Sequence, residues 1–111
     1  MNELHLSKEA QNDLAAIKAY ITEELENPDA ALATVSRIAK KIRILKNQAY
    51  VGTPLSSVAD TESGYRFLIS GNYLIFYRAY GKNVYIDRVL YSRRDYMHIL
   101  FGDAQTNETD D

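Results

Sequence analysis

The sequence predicts an α+β fold in which an N-terminal strand and a two-helix hairpin pack on a small antiparallel sheet. The element order is β-α-α-β-β-β with a short C-terminal helix. Three observations predict it. Residues 8–47 carry apolar side chains every three or four positions, the period of an amphipathic helix, with a single Asn-Pro break near the middle. Residues 65–91 change to runs rich in aromatic and β-branched side chains, separated by the turn sequences Gly71-Asn72 and Gly81-Lys82-Asn83. A chain of 111 residues with 46% hydrophobic content is enough for one modest core, so residues 1–102 are expected to form a single domain.

Each element has a local reason. Glu3–Leu6 alternates apolar and polar side chains, as a strand does. Ser7 is a natural N-cap for a helix running to about Glu26, with Ala10, Leu14, Ile17, Ile21 and Leu25 on one stripe. Asn27-Pro28 restarts the chain: Asn caps, and Pro takes the first helical position, where its missing N–H is no loss. The second helix extends to about Asn47, with Leu32, Val35, Ile38, Ala39, Ile42 and Leu45 facing one way. So short a joint makes the two helices an antiparallel hairpin. Residues 50–64, with Gly52, Pro54 and Gly64, read as a connecting loop.

Tyr65–Ser70 and Tyr73–Tyr80 are the first two strands of a meander. In the third, Val84 and Ile86 alternate but the aliphatics resume at Val89-Leu90, so a bulge is expected near Asp87-Arg88. Arg93–Phe101 reads as a short helix ended by Gly102. The first strand is expected at an edge of the meander, with the helices over one sheet face. The other face is expected to lie open and to carry Arg66, Arg78 and Arg88, one per strand.

Composition narrows the chemistry. The absence of cysteine excludes a disulfide framework, a thiolate metal site and a cysteine nucleophile. Two histidines, His5 and His98, argue against a multi-histidine metal centre, and no cofactor is implied. No run of 18 apolar residues and no basic-then-apolar leader is present, so the expectation is a cytoplasmic protein with no membrane partner. The net charge of −2 conceals a polarised chain. Residues 65–102 hold six basic against two acidic residues, residues 1–64 seven against nine, and residues 103–111 four acidic and no basic. A basic, tyrosine-rich sheet suits an anionic partner. The acidic segment 103–111 is expected to be a disordered tail, whose charge would let it fold back over the basic patch. The row Arg37, Lys40, Lys41, Arg43 and Lys46 is most simply the solvated face of the second helix, with contact to RNA as a second reading.

Five blocks occur in a fixed order. They are Ala10, Asp13, Leu14, Ile17, Tyr20 and Ile21 in the first helix; Gly52, Pro54 and Leu55; Tyr65-Arg66; Tyr73–Arg78; and Ile86, Arg88, Val89, Leu90, Arg94 and Asp95. In this order and spacing they resemble the RelE/ParE superfamily of toxins from type II toxin–antitoxin modules. The resemblance spans nearly the whole of residues 1–102. It implies a RelE/ParE-like fold and a growth-arresting toxin neutralised by a cognate antitoxin protein. Two activities share that fold. RelE-like members cut mRNA in the ribosomal A site, which would make the ribosome and mRNA the partners and the protein a metal-independent endoribonuclease. ParE-like members bind DNA gyrase and trap it on broken DNA without chemistry of their own. The first is taken as the main expectation, the second as its alternative, and a non-toxic relative used as a binding module as a third.

Metal-free RNA cleavage needs a base for the 2′-hydroxyl, cations on the phosphate and an acid for the leaving oxygen. Arg66 matches the family arginine on the scissile phosphate, and Arg93 or Arg94 could add a bidentate clamp. Tyr91, Tyr96 and His98 are the candidates for proton transfer, and Tyr73, Tyr91 and Tyr96 for stacking on a base. Arg78, Arg88, Arg93 and Lys82 complete the set as substrate- or partner-binding residues. The position after Arg88-Val89-Leu90 is Tyr91, where many relatives carry histidine. Asp95 is expected to pair with a neighbouring arginine or to cap the last helix, and His5 is given no role.

Overall fold

The structure, a computed structural model, describes residues 1–59 and 61–102. The expected acidic tail, 103–111, lies outside the described residues. The elements run β1 (Glu3–Leu6), α1 (Lys8–Ala19), a π-helical turn (Tyr20–Glu24), α2 (Pro28–Ile44), β2 (Thr53–Pro54), a 3-10 turn (Leu55–Ser57), β3 (Arg66–Ser70), β4 (Tyr73–Tyr80), β5 (Asn83–Tyr91) and α3 (Tyr96–Phe101). The strands form one sheet in the order β1-β5-β4-β3-β2.

Local chemistry sets the boundaries. The Ser7 hydroxyl accepts from the Ala10 N–H at 2.9 Å and so starts α1. At the far end α1 widens into the π-helical turn, where the Leu25 N–H reaches back to the Tyr20 carbonyl. Glu26 then takes φ 51°, and the Asn27 side chain accepts from the Ala30 N–H with Pro28 at the first turn of α2. The joint between the helices is therefore made in three residues, Leu25, Glu26 and Asn27. α3 begins at Tyr96, three residues later than the sequence suggests, because Asp95 caps it by accepting from the His98 N–H at 3.2 Å.

β1 lies at the sheet edge, as expected, but runs parallel to β5, with Leu4 opposite Val84 and Leu6 opposite Ile86. The sheet is thus mixed, and β2 adds a two-residue strand against Phe67 and Arg66 inside the expected loop. The bulge falls where the aliphatic slip indicates. Phe76 pairs with Arg88 and Tyr77 with Ile86, leaving Asp87 as the extra residue.

The main core lies between the helices and the sheet. Ala10, Ile38, Ile42, Leu45, Ile75, Tyr77, Val84, Ile86 and Val89 are its buried members. Leu25 and Leu32, each on a predicted apolar stripe, stay 56% and 59% exposed at the hairpin tip, beyond the reach of the sheet. The opposite sheet face is not left open. Leu55, Phe76 and Leu90 form a second buried cluster there, covered by Phe67, Tyr96, Met97, Leu100 and Phe101. The expected row of arginines on that face is also corrected. Arg66 pairs across with the core residue Tyr77 and bonds the 50–52 loop, Arg88 turns to α1, and Arg78 alone stays on the outer face, paired with Asp87.

Two contacts fix the ends of this scaffold. The buried Tyr77 hydroxyl accepts from the Gly52 N–H at 2.9 Å, and a Cβ at position 52 would sit 2.6 Å from that oxygen and 2.9 Å from the Phe67 carbonyl. Gly52→Ala is expected to cost about 2–3 kcal/mol by overpacking, read as a lowered urea midpoint. Asp13 accepts from Arg88 Nε and Nη2, each at 2.8 Å, and from the Val89 N–H at 2.9 Å. Its side chain is 10% exposed. Asp13→Ala strands the guanidinium and a strand N–H together, and a loss of about 2–4 kcal/mol in the same measurement is the expected result.

Candidate functional site

An open groove of about 690 Å³ lies between the helical hairpin and the ends of β4 and β5. Asp13, Ala16 and Ile17 of α1, Tyr20 and Ile21 of the π-helical turn and Leu25 after it supply one wall, and Ala30 and Thr34 of α2 the next. Asn72, Tyr73, Val89, Tyr91 and Arg94 close it on the sheet side. The π-helical turn continues this wall, with Tyr20 exposed and Ile21 buried. The Asp13–Arg88 pair sits at the base of the wall, so the groove's one described carboxylate is already committed.

Two of the predicted catalytic residues meet in this groove. Tyr91 is 41% exposed and its ring meets Tyr73 edge-on at 5.9 Å, while Arg94 lines the same wall. Burial, followed by the neighbouring Tyr91 and Tyr20, raises the Tyr73 hydroxyl pKa, so this group stays protonated and serves as a donor or packing ring rather than a base. Arg93 is exposed beside Arg94 in the turn after β5.

The other predicted residues are elsewhere. Arg66 donates from Nη1 to the carbonyls of Gly52 at 2.8 Å and Tyr50 at 3.2 Å, and its guanidinium lies 5.1 Å over the Tyr50 ring. It ties down the loop entering β2. Tyr96 packs on Phe76 at 5.3 Å between ring centroids, inside the second cluster. His98 rides on α3, on the far side of the sheet from the groove. Lys82 is exposed in the β4–β5 turn. Arg88 is held by Asp13, whose hydrogen bond raises the guanidinium pKa against the opposing effect of burial.

Arg78 belongs to a polar cluster on the outer face. It donates from Nε to Asp87 Oδ2 at 2.9 Å, its Nη2 lies 2.9 Å from the same oxygen as an ion pair, and its guanidinium lies 5.1 Å over the Tyr65 ring. Burial opposes its charge, but Asp87 and the surrounding tyrosines raise its pKa overall. The Tyr65 hydroxyl donates to the same Asp87 oxygen at 2.9 Å. Tyr65 also meets Phe101 edge-on at 5.9 Å, which links α3 to the bulge. His5, given no role from the sequence, stacks on Tyr85 at 4.9 Å and bonds Asn83.

The sequence reading missed Asp13 and Tyr20 as groove residues. Both stand in the first-helix block, but their place along a groove depends on the sheet ends that face them. Among the described residues no group of three or more His, Asp or Glu could hold a metal ion. Among the same residues no helix is long and apolar enough to cross a membrane.

The cluster around Asp87 gives a pH test. Burial first, and the bond to Asp87 second, push the Tyr65 hydroxyl up to about 12 from 10.0. Its folded value lies above the unfolded one, so its contribution to stability is complete below pH 10.0 and is lost as the pH rises through about 12. In a Tyr ring-carbon NMR titration Tyr65 is expected to ionise about two units late, and Asp87→Asn to bring it part of the way back.

The family model for the ParE toxin of type II toxin–antitoxin systems, parDE, matches residues 4–96. No curated protein matches the sequence significantly. Among solved structures, the chromosomal ParDE toxin–antitoxin system from P. aeruginosa is similar at 27% identity and a TM-score of 0.69, over 82% of this chain and 96% of that one. The E. coli DinJ-YafQ complex has a TM-score of 0.54 at 13% identity, over 91% and 98% of the two chains. YafQ from E. coli strain BL21(DE3) has a TM-score of 0.52 at 17% identity, over 92% and 100%. These last two likenesses are of fold.

Proposed function

The chain belongs to the ParE toxin family of type II toxin–antitoxin systems, and on that premise we propose that it arrests growth by binding DNA gyrase and holding it on cleaved DNA. It performs no bond chemistry itself, and a cognate antitoxin neutralises it. The observation that carries this reading is the scatter of the groups an RNA-cleaving site would need. Arg66 is spent on backbone carbonyls, Tyr96 on the second core and Arg88 on Asp13, while His98 stands on α3, across the sheet from Tyr91 and Arg94. A cation, a base and an acid around one phosphate would require these elements to converge. The ribosome-dependent mRNA cleavage expected first from the sequence therefore has less support than its alternative.

The groove suits a binding role. It pairs an apolar floor with tyrosine rings and a guanidinium at the rim, the residue types that dominate interface energetics. Tyr91 and Arg94 are its exposed anchors, with Arg93 beside them. Likeness to the ParDE system and to the DinJ-YafQ complex supports an antitoxin as a further partner of the fold.

The test mixes purified toxin with gyrase and supercoiled plasmid, followed by detergent and protease. Gyrase-dependent linear DNA is the expected product, and mRNA on translating ribosomes is expected to stay intact. The double variant Tyr91→Ala/Arg94→Ala should weaken gyrase binding by roughly tenfold or more, about 1.4 kcal/mol. Cleaved mRNA with no gyrase-linked breaks would reject the proposal.

A further inference from the structure

A second groove, of about 360 Å³, runs between α2 and the end of β3. Arg37, Lys40 and Lys41 form its α2 wall, Ile44 and Ile69 its apolar part, and Ser70-Gly71 its far side. We propose that this face grips the sugar–phosphate backbone of duplex DNA, the segment that gyrase holds, so that the toxin contacts both enzyme and DNA. The inference rests on the gyrase reading and adds a substrate surface to it.

Charge carries the argument. From residue 30 to residue 59 the chain has five basic residues and no acidic one, and all five lie within positions 37–46, the end of α2 and the turn after it. The helical part, Arg37 to Ile44, spans about 12 Å, a length over which duplex DNA presents a charge every ~1.7 Å of axis. Among the described residues the ion pairs are Arg78–Asp87 and Arg88–Asp13, and no α2 cation takes part in either. The helix dipole accounts for cations in the last turn, where Lys41 and Arg43 sit. It does not account for Arg37 and Lys40, which stand further from that end on the groove side.

Position supplies the second argument. The two grooves meet at the β3–β4 turn, with Gly71 lining one and Asn72 the other. The Asn72 carbonyl accepts from the Ser92 N–H at 2.8 Å, so the turn also holds the segment carrying Arg93 and Arg94. A partner seated against Tyr91 and Arg94 would bring its own bound DNA to the α2 face. An acidic protein segment must match discrete charges, whereas a duplex offers them along the whole face.

The test compares the full-length protein with the triple variant Arg37→Gln/Lys40→Gln/Lys41→Gln, after confirming an unchanged thermal transition. Binding to a fluorescein-labelled 30-base-pair duplex is followed by anisotropy at several salt concentrations. The variant should lose about tenfold or more in affinity at low salt. Its log–log salt slope should be shallower by roughly 2–3, at about 0.9 per phosphate contact. Gyrase binding in the absence of DNA should be unchanged, while trapped cleavage complexes fall. Equal duplex binding by the two proteins overturns the proposal, and so does a loss confined to RNA or to the antitoxin. If gyrase does not bind the wild-type protein but duplex binding still depends on these cations, the gyrase reading fails and the DNA surface stands.

Discussion

The extra residue in β5 organises the molecule. Asp87 has no partner across the ladder, and the strand around it sends groups in three directions. Its carbonyl accepts from the Ser7 hydroxyl at 2.7 Å, and the neighbouring Ile86 carbonyl accepts from the Ser7 N–H, so α1 starts against the bulge. Its carboxylate gathers Tyr65 and Arg78 on the outer face. One residue on, Arg88 turns around the strand to Asp13, and the Val89 N–H, past the end of β1, finds its acceptor there too. A single inserted residue thereby fixes where the first helix begins, how it leans on the sheet and how the terminal helix is anchored through Tyr65 and Phe101. Without it Arg88 would be an ordinary member of the strand alternation.

Much of this architecture was legible because it is local. Ser7, Asn27-Pro28 and Asp95 cap helices by bonds to residues three positions on, and each is recognisable in the sequence. The bulge was legible because the aliphatic slip from Ile86 to Val89 cannot be drawn as a regular strand. The parallel direction of β1 was not, since four alternating residues look the same in either orientation. The faces taken by Arg66 and Arg88 were not either, because one depends on pairing with Tyr77 and the other on the bulge. Likewise the six residues of α3 are too few to show which sheet face they cover. The groove was the least legible feature: its walls come from α1, α2, the β3–β4 turn and the end of β5, brought together only by folding.

Most positions in the blocks that carry the family resemblance turn out to encode scaffold, Tyr20 and Arg94 on the groove being exceptions. Gly52 makes room for Tyr77, Leu55 seeds the second core, and Ala10 and Asp13 seat α1 on β5. Arg66, the strongest catalytic candidate by motif, closes the 50–52 loop. Such positions identify a family well and an activity poorly, because a fold is kept by its contacts while partners are chosen by the surfaces between them. The residues that differ in environment here are Tyr20, Tyr91 and the α2 cations, and none of them is needed to hold the sheet together.

The pairing of β1 with β5 has a consequence for synthesis. Ser7 and Asp87 are 80 residues apart, and the contacts between them close the sheet and seat α1. Loop closure over such a span is entropically slow, and it cannot begin until the last strand has left the ribosome. The helical hairpin can form by local contacts before that, but until β5 arrives its apolar stripe has no complete sheet to pack on. β5 must therefore be present before β1, the start of α1 and the sheet side of the groove can take their places.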